Sequence, residues 1–254
     1  SDKSWMDGIS IPDVYGRYSD AEFGVPPQLM RDYQALVGDT VDNVPGATRV
    51  FHEFHLDFCC GGQKSLRQAA LERGINAEQV QQRLLSLSGE DALDADWRKV
   101  PAERLIEHIL QRYHEVHRAQ LPELIRLAAR VEQVHGGREH CPLGLTELLI
   151  DMQQELESHM QKEEQILFPM IQRGAGVMVG GPISVMRYEH DQHGDALERI
   201  VELTDDMQPP ANACNTWRAL YRGLDELRLD LMQHIHLENN LLFPRALGEE
   251  VQHG

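Results

Sequence analysis

The sequence predicts an all-α protein, an antiparallel up-down four-helix bundle preceded by a small helical domain. Three observations predict it. Apolar residues recur at helical spacing over four long stretches between about 101 and 247. These stretches are joined by short segments of helix breakers, "HGGREHCPLG", "RGAGVMVGGP" and "DDMQPPANAC", and short connections make successive helices antiparallel neighbours. A repeat then ties two of the helices together: His159-x3-Glu163-x3-Leu167-Phe168-Pro169 recurs as His234-x3-Glu238-x3-Leu242-Phe243-Pro244.

Taken in order, residues 1–43 form an atypical extension expected to be poorly anchored. Residues 44–90 form a small helical domain: a helix ending before Cys59, a Gly61-Gly62 turn, then two short helices around Gly74. Residues 91–101 close a polar linker that begins at "SGEDALDADW". The bundle, 102–254, opens with a helix over 101–135 whose stripe is Ile106, Ile109, Leu110, Tyr113, Leu121, Leu124, Ala128 and Val131. The pattern resumes in register after Pro122, so this proline should kink the helix rather than end it. A second helix is predicted from about Thr146, offered as its N-cap, to Gln172. The third should run from about Ile183 to Thr204 and the fourth from about Thr216 to Leu247.

Composition narrows the function. With 24 Lys and Arg against 41 Asp and Glu, the net charge of −17 argues against nucleic acid or an anionic membrane as the main partner. There is no apolar run long enough to span a bilayer, and the first residues lack an export signal. Four scattered cysteines are too few for a disulfide scaffold, and adjacent Cys59 and Cys60 lie too close for an unstrained bridge. A cytoplasmic location is the resulting expectation.

The repeated motif carries the chemistry. Residues four apart share a helix face, so His159 with Glu163 and His234 with Glu238 each aim two donors in one direction. The identical tails place both pairs at one depth in two helices. A lone pair of this kind reads as a solvated surface feature; two matched pairs heading inward do not. Burying two carboxylates and two imidazoles without a counter-ion would cost several kcal/mol each, and a cation removes that cost. Mixed carboxylate and imidazole donors suit iron or manganese. Glu164 is turned about 100° away around the helix and drops out of the ligand set. The other two helices must complete the set, from His190 or His193 in one and His108, His114 or His117 in the other. Spacing does not choose: His117 is nearest the centre of the stripe and His114 toward its flank. His236 faces away from the inward side, and a solvated or supporting role is expected. His52, His55, His135, His140 and His253 lie outside the bundle helices or at their ends and receive no ligand role.

From about Val44 to Leu247 the chain resembles the Repair of Iron Centres proteins, hemerythrin-like di-iron proteins of bacterial iron–sulfur cluster repair. The motifs are "DFCCGGQKSL" (57–66), "DWRKVP" (96–101), "RYHEVHRAQLPELI" (112–125), "SHMQKEEQILFPMI" (158–171), "GPISVMRYEHD" (181–191) and "LMQHIHLENNLLFPRAL" (231–247). The resemblance implies two non-haem iron ions per chain. His114, His159, His190 and His234 would be ligands and Glu163 and Glu238 bridges. It thereby selects His114 over His117 and His190 over His193. It also implies a supporting or proton-handling role for Glu155 and Glu189, and redox or iron handling, or subunit linkage, by Cys59 and Cys60 in the Cys-Cys-Gly-Gly motif. Cys141 and Cys214 lie outside the motif and are read as incidental.

The function implied is repair or protection of clusters damaged by nitrosative and oxidative stress, through iron donation, nitric oxide reduction or both. Damaged iron–sulfur proteins would be the partners, nitric oxide or oxygen the small ligands, and a homodimer is compatible with the Cys-Cys motif. The alternative is a hemerythrin-like oxygen or nitric oxide binding or sensing protein, although hemerythrins use more histidines and fewer carboxylates. A metal-free structural bundle is the third reading. Residues 23–46 are similar instead to a fragment of polymerase-I-type 5′-nucleases, with Asp39 and Asp42 in the Gly-Asp-x-x-Asp-Asn motif. Two aspartates cannot hold a two-metal phosphodiester site, so nuclease activity is not expected.

Overall fold

The computed structural model describes residues 37, 40, 41, 44, 46–58, 64–87 and 97–248. Among them the regular elements are helices. Three short ones form the amino-terminal unit: α1 (Ala47–Glu53), α2 (Leu66–Glu72) and α3 (Ala77–Leu85). The last two are capped by Ser65 and Asn76, whose side chains accept from the backbone N–H groups of Gln68 and Glu78. Four long helices follow. Three of them contain a π turn: α4 spans 102–135 with the turn at Leu110–His114, α5 spans 145–172 with Glu163–Leu167, and α7 spans 215–247 with Leu237–Leu242. The remaining one, α6 (Gly180–Thr204), is α-helical throughout.

Packing closes the four helices into a ring in which α4 and α6 each touch α5 and α7. The bundle is antiparallel. His114 pairs with Glu164 while Arg118, one turn later on α4, pairs with Glu157, two turns earlier on α5. No helix among the described residues is long and apolar enough to cross a membrane.

Helix boundaries depart from sequence expectation at two places. Gly144 (φ 88°), not Thr146, is the N-cap of α5, and the Thr146 N–H donates to the Glu132 carboxylate of α4 at 3.0 Å. The cap is supplied across the bundle, which no local signal reveals. Helix α6 begins at Gly180 rather than Ile183, with Gly181 and Pro182 in its first turn. Proline there loses no helical hydrogen bond. Helix α4 continues through Pro122 as expected.

Two apolar clusters fill the interior. One, around Phe168, Phe243, Leu105, Ile109, Ile183 and Leu242, receives both Leu-Phe-Pro tails. The other runs through Leu121, Leu149, Leu156, Leu227 and Leu231 to Trp217, and includes Phe51, Phe58 and Val80 of the amino-terminal unit. The small unit therefore shares its apolar interior with the bundle. Of the extension, Val37 and Thr40 are buried and the Val37 N–H donates to the Lys64 carbonyl, while Asp39 and Asp42 lie outside the described residues. So do Cys59, Cys60, Gly61, Gly62, His253 and most of the expected linker.

Candidate metal centre

A polar layer separates the two apolar clusters. On α4 the apolar stripe is interrupted at His114 and His117, on α5 at His159 and Glu163, on α6 at His190 and His193, and on α7 at His234 and Glu238. All eight side chains are at most 2% exposed. The three π turns fall in this layer, each beginning or ending within one residue of His114, Glu163 or Glu238. An i→i+5 turn inserts an extra residue and re-phases the helix, a device common at functional sites. The second half of each repeated motif, Glu-x3-Leu, lies within such a turn, so the carboxylate and the leucine serve different layers of the bundle.

Six of the eight residues converge. One ligand atom from each of His114, Glu163, His234 and Glu238 lies within 4.8 Å of the others, and so for His159, Glu163, His190 and Glu238. The two sets share both glutamates. Within each set two imidazoles oppose each other through Nε2, His114 to His234 at 3.2 Å and His190 to His159 at 3.1 Å.

The outer ring nitrogens explain that orientation. His114 Nδ1 donates to Glu164 at 2.8 Å, His159 Nδ1 to Glu189 at 2.9 Å and His190 Nδ1 to Asn239 Oδ1 at 2.9 Å. With Nδ1 carrying the proton, Nε2 turns a lone pair inward, the arrangement a metal ligand requires. Lone pairs facing each other at 3.1–3.2 Å repel unless a proton or a cation lies between them. Both Glu163 oxygens and Glu238 Oε2 make no well-formed hydrogen bond and face only imidazole Nε2 atoms at 3.1–3.4 Å in a fully buried setting. Burying two carboxylates this way is costly, so the donor set fits a bound cation.

Electrostatics give the same account. Burial alone would push the His159 imidazole down, but the Glu163 carboxylate beside it raises it to about 10. His114 is raised too, Glu163 outweighing burial. Glu163 is held below its ordinary range by His159 and His114, against burial and the like charge of Glu238. The two glutamates thus draw positive charge toward them from the imidazoles that face them. Glu189 is lowered to about 2, first by its hydrogen bond from His159 and also by Lys162.

The residues outside the six sort differently from expectation. Glu164, set aside because of its turn around α5, reaches across to α4 and is clamped by Arg118, which also binds Glu157. Glu155 is exposed one turn before His159, while Leu156 takes the inward position. His236 is buried, contrary to a solvated reading; its Nδ1 lies 2.7 Å from the Asn240 amide nitrogen and its ring meets Phe58 edge-on at 6.0 Å. It thus helps seat the amino-terminal unit on α7. His117 and His193 are buried, yet neither nitrogen of either ring has a partner. Burial pushes both imidazoles down, His193 to about 3. Asn239 and Arg118 carried no sequence signal, since their role is defined only by a neighbouring helix.

Comparison with known proteins adds two family matches. Residues 105–246 match the hemerythrin HHE cation binding domain, and residues 33–88 match a domain of unknown function, DUF542. The second match begins ahead of the boundary expected at 44 and takes in part of the segment likened to a nuclease. Among similar proteins are those named iron-sulfur cluster repair protein YtfE from Dickeya chrysanthemi, Musicola paradisiaca and Edwardsiella ictaluri. They are 52%, 51% and 50% identical, and each alignment covers 84% of this chain and 97%, 96% and 96% of the respective relative.

Proposed function

Given that this chain belongs to the family of iron-sulfur cluster repair proteins and carries a hemerythrin HHE cation binding domain, we propose that it binds two non-haem iron ions and restores or protects damaged iron–sulfur clusters. The observation that carries the reading is the pair of four-residue donor sets sharing Glu163 and Glu238. His114 and His234 would hold one ion, His159 and His190 the other, and the two glutamates would bridge them. Hard carboxylates with neutral imidazoles suit iron. Iron held there supplies both redox chemistry and an ion that can be handed to a damaged cluster.

The protein's own groups set the conditions. The apolar clusters above and below exclude water from the layer. Glu164, Glu189 and Asn239 hold three imidazoles in the ligating tautomer. Replacing protons by metal at His159 and His114 releases those protons, so affinity should rise with pH. Glu189, on the outer side of His159 and bonded to Lys162, stays a carboxylate and keeps the Nδ1 proton in place.

Iron quantitation with Mössbauer spectra tests the reading. Two ions per chain in a coupled pair is the expected result, and Glu163→Ala with Glu238→Ala should abolish it. Damaged iron–sulfur proteins are the proposed clients, tested by return of their cluster absorbance when mixed with the iron-loaded protein. Anaerobic nitric oxide added to the reduced protein separates the two proposed routes: nitrous oxide marks reduction, and its absence leaves iron donation. A hemerythrin-like oxygen or nitric oxide carrier would instead form a stable reversible adduct.

A further inference from the structure

The six proposed ligands are at most 1% exposed, so no protein-sized electron donor can touch the centre. A column of rings bridges the distance. Tyr113 stacks on His234, with centroids 5.4 Å apart and planes 6° from parallel. On its outer side Tyr113 meets His108 at 5.6 Å, ring planes at 90°, and His108 stacks on the Trp97 indole at 4.1 Å. Trp97 and His108 are half-buried and reach the surface, whereas Tyr113 and His234 are buried. Other ring neighbours of the ligands end inside the protein: Phe168 beside His114 and Phe243 beside His190 are at most 2% exposed.

The column is braced at both ends. Arg245, just past the second Leu-Phe-Pro tail, donates to the Trp97 and Val100 carbonyls at 2.6 and 2.9 Å, which ties the indole's segment to α7. Arg112 lies 5.1 Å from the Tyr113 centroid and forms a two-pronged pair with Asp230 of α7 at 2.6 and 2.9 Å. This fixes α4 against α7 where Tyr113 and His234 stack. Neither arginine serves the metal layer directly, and Trp97, which packs against the apolar cluster, also stacks on the half-exposed His108.

We propose that Trp97, His108 and Tyr113 form the electron entry to the metal centre through His234, and that a one-electron carrier protein docks at the Trp97 end. The proposal rests on the di-iron reading. In the step, the carrier is oxidised by one electron and one ferric ion of the centre is reduced to ferrous. The electron tunnels through the ring column. No bond forms or breaks, and the Tyr113 phenol keeps its proton.

The test is stopped-flow reduction of the iron-loaded full chain by a reduced [2Fe–2S] ferredoxin, followed by loss of ferric absorbance and by the EPR of the one-electron-reduced centre. Trp97→Leu and His108→Leu should each lower the limiting rate by about tenfold. Iron content should not change in either variant; Trp97→Leu should lose some thermal stability with the indole's packing, and His108→Leu should keep both its stability and the half-saturating ferredoxin concentration. Tyr113→Phe, which keeps the ring, should keep the rate. Once reduced, wild type and variants should give the same EPR signal, so that a slower rate reports the route and not a damaged centre. Unchanged limiting rates in Trp97→Leu and His108→Leu with iron bound would overturn the route. So would a changed EPR signal in the variants, or no reduction of wild type by ferredoxin. Wild-type protein that binds no iron would instead remove the di-iron reading on which the route rests.

Discussion

His114 and His117 are three residues apart on one helix, both fully buried, and their replacement by leucine should have opposite effects on the metal-free protein. Neither His117 nitrogen has a hydrogen-bond partner, and an unsatisfied buried polar group costs about 1–3 kcal/mol. Leucine removes that cost, with a repacking penalty for a similar volume of under about 1.5 kcal/mol. A net gain of about 1 kcal/mol follows, which is a rise of about 2–4 °C in Tm for a chain of this size. His114 bonds Glu164 at 2.8 Å and lies 3.4 Å from a Glu163 oxygen, both partners on α5. Stripping one side from a buried charged pair costs about 3–5 kcal/mol, so His114→Leu should lower Tm by about 6–20 °C. Calorimetry of the metal-free variants, with iron content after reloading, reads both effects. His117→Leu should load fully and His114→Leu poorly. Loss of iron or of stability in His117→Leu would refute the assignment, because it would mean that this ring has a partner.

Other outcomes are expected. Glu189→Gln and Asn239→Ala should each weaken iron binding by about 10–100-fold, since each orients a proposed ligand imidazole; competition with a ferrous chelator measures this. Deleting Gln165 removes the extra residue of the α5 π turn, so the helix should stay formed while iron is lost, and circular dichroism beside iron quantitation would show it. Acid should loosen the seam between the amino-terminal unit and the bundle. Burial and then Arg228 hold His55 below its ordinary value, so the detached state binds more protons, and docking stability falls as pH drops from about 6.5 toward the docked value. Asp225, lowered chiefly by its bond from His52, gives way only at more acidic pH. The protection of residues 47–58 against hydrogen exchange, relative to the intrinsic rate at each pH, should therefore fall between pH 7 and 5, and constant protection would contradict this.

The bundle and the depth of its site are legible in the sequence because they depend on local periodicity. A helix repeats its face every three or four residues whatever surrounds it, so the matched His-x3-Glu-x3-Leu-Phe-Pro motifs announce two inward donor pairs at one level. Their tails do enter one apolar cluster. Spacing could not choose between His114 and His117, or between His190 and His193. Residues three apart differ by only about 60° around a helix, and the π turn at Leu110–His114 shifts the phase by more than a straight helix allows. Resemblance to a known family is what proposes His114 and His190.

What only the tertiary structure decided lies between helices. Glu164 points away from its own helix's proposed ligands yet meets His114 of α4, and Asn239 of α7 meets His190 of α6. Glu132 caps α5 from α4, and His236 is buried beside Phe58. Trp97 joins the ring column because Arg245, more than a hundred residues later, holds its carbonyl. Local backbone geometry sets which residues share a face. The rotation and offset of one helix against the next, settled by packing the apolar clusters, set which faces meet.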